Sequence, residues 1–149
     1  MPPDDFKRDI LFETGRLRKL AEAARSALER PGLRKDAWDA AAAGKLISDL
    51  IGGLESFLKR RARLEGISLA QGSDWHLELL NSFLTDPAFG AAWTESQKAL
   101  WMRYLRFRHR FIHGYGHELS WEIVQEPLEG LPAMAEGLAQ AWEKWLARP

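Results

Sequence analysis

Cysteine is absent from this 149-residue chain. Disulfides and thiolate-held metals are therefore excluded, and a reducing compartment is allowed. Valine occurs once, at Val124, and β-branched residues are few throughout. No segment shows the alternation of a strand, so the expected class is all-α. Neither sign of charge is in excess, because Lys and Arg total 21 and Asp and Glu also total 21. A general nucleic-acid coat is basic overall, so this balance argues against one while leaving room for a local basic site. No run approaches the roughly 18 uninterrupted apolar residues of a membrane span. The opening MPPDDFKRDI has no apolar stretch of the kind a signal peptide needs. The expectation is a soluble, cytoplasmic protein with no membrane partner.

What is present reads as globular: 46% of residues are hydrophobic and 28% charged. The length fits one domain over residues 1–149. Residues 4–29 carry Phe6, Ile10, Leu17, Leu20, Ala24 and Leu28 at helical spacing. Asp4 or Asp5 is the expected cap, and Pro31-Gly32 the stop. Asp36 caps a second helix whose apolar stripe runs from Trp38 through Ile47, Ile51 and Leu58 to about residue 65. Gly52-Gly53 inside it predicts close helix–helix approach, and the KRRAR run at 59–63 predicts a solvated face. Ser73 or Asp74 caps a short helix with Trp75, Leu79, Leu80 and Phe83 inward, which leaves His76 as a structural residue. Thr94 and Gln97 fit a capping box before a fourth helix, with Gly114 and Gly116 at its end. Around Trp121 the pattern predicts a short helical turn or extended segment, then a last helix over about 132–147. The architecture expected is an up-and-down bundle of four or five helices.

The fourth helix ends in RFRHRFIHGYGHE, residues 106–118, which holds three of the four histidines. Between Lys98 and His117 there are five basic residues and no acidic one. Histidines 109, 113 and 117 fall four apart, a spacing that on a helix can share a metal, but the glycines interrupt the helix and no acidic ligand lies near. No metal and no cofactor is therefore assigned. There is also no Gly-rich phosphate loop and no H-E-x-x-H. Arginine and imidazole remain, and together they permit metal-free cleavage of RNA. A base takes the 2′-hydroxyl proton, the freed oxygen attacks its own phosphate, and a cation steadies the charge that builds there.

RHRFIH followed by GY resembles the signature of HEPN-domain ribonucleases, and SDWHLELL with RFRHRFIHGYGHELSWEIV is similar to the HepT-like branch of that family. The signature is an arginine, a polar residue, and a histidine four to six positions after the arginine. In the HepT-like branch a tyrosine follows two residues later. The resemblance covers about residues 40–146. It implies Arg108 and His113 as catalytic residues, with His109 as the supporting polar position. It also implies an all-α HEPN-like bundle, a homodimer with the two motifs facing a shared cleft, and an RNA substrate. The partner implied is an MNT-type nucleotidyltransferase antitoxin that adds AMP to the motif tyrosine, here Tyr115. Arg106 and Arg110 are the expected contacts to RNA phosphate, because they face position 113 better than Arg108 does. Positions 108 and 113 lie about 140° apart around an ideal helix. A non-catalytic module of the same fold, binding a nucleotidyltransferase, nucleotide or RNA, is the alternative reading.

Overall fold

The computed structural model describes residues 2–69, 75–89, 92–114 and 118–148. Among them are five helices and no strand: α1 (Asp4–Glu29), α2 (Ala37–Leu64), α3 (Trp75–Thr85), α4 (Glu95–His113) and α5 (Trp121–Ala147). The all-α expectation holds. The scarcity of β-branched residues and the helical spacing of apolar ones account for it.

Local rules fix several helix ends. The Asp36 side chain accepts from the Asp39 amide at 3.0 Å, which starts α2. Thr94 and Gln97 close the expected box, each side chain bonding the other's backbone amide. Gly114 follows the last turn of α4, and its amide donates to the Arg110 carbonyl at 2.8 Å. The start of α1 differs from expectation. Asp4 and Asp5 lie inside its first turn, Pro3 precedes it, and no side chain caps it. Acidic groups there still favour the positive end of the helix dipole. The caps expected from Ser73 and Asp74, and Gly116, lie outside the described residues.

The largest departure is α5. One helix runs from Trp121 to Ala147 where a short segment and a separate helix were expected, and it contains Pro127 and Pro132. An interior proline removes a backbone donor and costs about 3 kcal/mol. Burial outweighs that cost here. Trp121, Val124, Pro127, Leu128, Leu131, Pro132 and Leu138 are all buried. The Tyr104 hydroxyl donates to the Pro127 carbonyl at 2.8 Å and ties α4 to this part of α5.

α5 lies along α1, and α2 is the central helix, in contact with the other four. Ile47, Leu50, Ile51, Leu54, Phe57, Trp101, Tyr104 and Trp142 form the middle of the core. Arg18 on α1 pairs with Glu136 and Glu143 on α5. Two expected features are reversed. Trp38 sits at the start of the α2 stripe yet is 84% exposed. Arg61, in the run read as solvated, has a side chain only 17% exposed and bonds Asp86 at 2.7 Å and Glu65 at 3.0 Å. Its guanidinium also lies over the rings of Phe89 and Trp145.

Candidate functional site

Arg108 projects from α4 onto α2. Its Nη1 donates to the Ser48 carbonyl at 3.1 Å and lies 3.4 Å from the Ser48 hydroxyl. Its Nε is 3.9 Å from Glu55 Oε2. A side chain at position 52 would obstruct this reach, because a Cβ on Gly52 would stand 2.4 Å from Nη1. Gly52 therefore admits a guanidinium and not a helix backbone, which corrects the close-approach expectation. Gly53 has nothing among the described residues within 4 Å of its Cβ position. Close packing instead occurs at Gly44, against Phe111 and Leu119.

Only three polar residues are buried among those described, Thr14, Ser48 and Glu55. Two of the three meet Arg108. Glu55 is also bonded by His76, whose Nδ1 is 3.0 Å from the same Oε2. The Trp75 ring lies 3.5 Å from the His76 ring, centroid to centroid, with the Lys59 ammonium over Trp75. Helices α2, α3 and α4 thus meet at one carboxylate.

Beside this cluster is a cavity of about 390 Å³, lined by Glu55, His76, Arg106, Arg108 and His109 together with the apolar Leu77, Met102, Leu105 and Ile112. On the other side of Arg108 a wider groove of about 640 Å³ runs between α1 and α2, with Arg16, Lys19, Lys45 and Arg60 on its walls. Arg110 turns elsewhere. It shares a cavity of about 360 Å³ with Arg103, Arg106 and Phe107, facing Ile123 and Pro127 at the start of α5. The structure thus brings Arg106, Arg108 and His109 together, and separates Arg110 from Arg108.

α4 continues unbroken to His113, so the helical separation between positions 108 and 113 applies within one chain. For His113 only the backbone is described. Tyr115 and His117 lie outside the described residues. Among the described residues, no three His, Asp or Glu side chains come together as metal ligands. No helix among them is long and apolar enough to cross a membrane.

Sequence reasoning missed Ser48, Glu55 and the partner of His76. A signal for Glu55 was present. It falls four residues after Ile51 and eight after Ile47, on the buried stripe of α2, where a carboxylate is out of place. Nothing local marked His76, because its partner lies 21 residues away on another helix.

The chemistry available is that of an anion held by guanidinium groups next to imidazoles. A family model described as HepT-like protein matches residues 42–148, which takes in the whole of this cluster. No curated protein and no solved structure matches the chain.

Proposed function

This chain belongs to the HepT-like protein family, and on that premise we propose that it is a metal-independent endoribonuclease, the toxin of a toxin–antitoxin pair, acting on cytoplasmic RNA. Residues 1–149 form one HEPN-like domain in this reading. The observation that carries it is the setting of Arg108. The motif arginine is held by the Ser48 carbonyl beside a buried carboxylate, at the wall of a cavity shared with Arg106 and His109. A guanidinium presents five donors in a planar fork suited to phosphate, and only part of the fork is used on α2.

Cleavage follows from groups of this kind. The 2′-hydroxyl loses its proton to an imidazole, and its oxygen bonds to the adjacent phosphorus. The bond from phosphorus to the 5′-oxygen breaks, and that oxygen takes a proton from an acid. The products are a 2′,3′-cyclic phosphate and a 5′-hydroxyl. Arg108, with Arg106, stabilises the negative charge on the phosphate oxygens as it grows. His113 supplies an acid–base group. Arg110 contacts RNA phosphate farther along the strand, because its cavity lies away from Arg108. His109 supports the site from the wall it shares with Arg106. A homodimer brings in a second motif, which answers the 140° separation within one helix. The antitoxin is an MNT-type nucleotidyltransferase, and Tyr115 is the residue it modifies with AMP.

The test is RNA cleavage in EDTA by unmodified wild type and by His113→Ala, with the mass of each protein checked for AMP. Wild type is expected to cut, and the variant to lose roughly 10²-fold or more of the rate. Equal rates would remove His113 from the chemistry. The alternative, a non-cutting module that binds RNA, nucleotide or nucleotidyltransferase, is favoured by the absence of net charge. It becomes the better reading if wild type binds RNA and leaves it intact.

A further inference from the structure

We propose that Glu55 and His76 form a proton-transfer dyad, in which His76 is the general base that takes the 2′-hydroxyl proton in the cavity between α2, α3 and α4. The inference rests on the ribonuclease reading and extends it to two helices that the motif does not touch.

Glu55 is the only charged side chain buried among the described residues. Taking a carboxylate out of water costs several kcal/mol unless partners compensate. Its contacts reach two other helices, α3 through His76 and α4 through Arg108. What Glu55 does is hold two groups with one oxygen, His76 Nδ1 at 3.0 Å and Arg108 Nε at 3.9 Å.

The bond to a carboxylate selects the tautomer of the neutral imidazole. A carboxylate only accepts, so Nδ1 carries the hydrogen, and in the neutral ring Nε2 keeps its lone pair. A carboxylate behind a histidine sets its tautomer and orientation, and steadies the imidazolium that forms when a proton arrives. The His76 side chain is 38% exposed and lines the 390 Å³ cavity, whereas that of Glu55 is 8% exposed. The dyad therefore has a buried carboxylate end and an open imidazole end. Cavities of a few hundred Å³ hold small ligands. The apolar wall of Leu77, Met102, Leu105 and Ile112 suits the face of a base, and Arg106 and Arg108 suit the phosphate beside it.

In the step, Nε2 of His76 takes the proton as the 2′-oxygen bonds to phosphorus, and the 5′-oxygen leaves with a proton from His113. Solvent then returns a proton from His76 to His113 before the next turnover. His76 is a catalytic residue in this scheme, and Glu55 a positioning residue.

The experiment compares two substrates in EDTA, a short RNA and a mixture of nucleoside 3′-(4-nitrophenyl phosphates), whose leaving group needs no acid. His76→Gln retains a donor for Glu55 but takes up no proton. We expect it to lower kcat roughly 10²-fold or more on both substrates, with KM changed by less than about threefold. Glu55→Gln lowers kcat by about tenfold on both, and His76→Gln carries the test should Glu55→Gln not fold. His113→Ala is slow on RNA and recovers on the activated esters. The dyad is overturned if His76→Gln turns over within about twofold of wild type, if its loss is confined to KM, or if its loss is recovered on the activated esters. Failure of the dyad and failure of the ribonuclease reading are distinct. An active wild type silenced by His113→Ala but not by His76→Gln removes the dyad alone, whereas an inert wild type removes both.

Discussion

The Arg108 guanidinium reaches α2 only because position 52 has no side chain. Alanine there would place a Cβ 2.4 Å from Nη1, and the flexible end of the arginine would swing away from the Ser48 carbonyl. The helix itself gains from the change, since Gly costs up to about 1 kcal/mol relative to Ala in a helix interior. Gly52→Ala is therefore expected to melt at or above the wild-type temperature while RNA cleavage falls about tenfold. Thermal unfolding and single-turnover cleavage on the same sample check both halves. Wild-type activity in this variant would show that the placement of Arg108 is immaterial. Arg108→Lys tests the same point from the other side. An ammonium lacks the planar fork, so it does not satisfy Ser48 and phosphate together, and cleavage is expected to fall without loss of fold.

α4 and α5 show how an element is stabilised beyond its own propensity. The box at Thr94 and Gln97 satisfies amides that the first turn of α4 leaves open. Thr94→Ala is expected to cost about 1 kcal/mol in urea denaturation. α5 carries two prolines and is held by its neighbours. Burial of Tyr104 pushes its phenol well above the usual tyrosine range, so it stays a donor to the Pro127 carbonyl through the neutral range. Tyr104→Phe removes that bond in a closed part of the core and is expected to cost about 1 kcal/mol. An unchanged denaturation midpoint would show that the bond adds nothing to the α4–α5 contact. The prolines also explain why the sequence pattern predicts two pieces where α5 is one helix. Proline breaks helices by a local rule, and the compensation, burial against α1 and α2, is not local.

At the scale of the whole molecule, Arg61 joins the end of α2 to the segment after α3 and to α5. It bonds Asp86 at 2.7 Å and lies over Phe89 and Trp145. Burial pushes the Asp86 carboxyl up, but the Ala88 amide and the Arg61 guanidinium outweigh it and hold the group below its usual value. A carboxyl depressed in the folded state adds stability that is full above its unfolded value and lost as pH falls through the folded one. Asp86→Asn is therefore expected to be less stable than wild type at pH 7, with the difference shrinking as pH falls below about 4. Chemical denaturation at several pH values checks the sign. A gap that stays constant with pH would separate Asp86 from the acid sensitivity of the fold. The KRRAR run looked solvated because basic runs are exposed by default. Only the arrival of Asp86, Phe89 and Trp145 from elsewhere in the chain puts Arg61 inside.

Sequence by itself determined what depends on residues within a turn or two of one another. Helical spacing set the all-α class, Asp36 and Thr94 set two helix starts, and Gly114 set the end of α4. The arginine–histidine motif of α4 was legible for the same reason, since its members are neighbours along one helix. Tertiary structure decided which of those side chains meet what. Arg108 finds Ser48 sixty residues away, and His76 finds Glu55 twenty-one residues away. Periodicity shows which face of a helix is buried but not which face it is buried against. A carboxylate on the apolar stripe of α2 is an anomaly in the sequence, and only the packing of α3 and α4 onto α2 gives it its partners, His76 and Arg108.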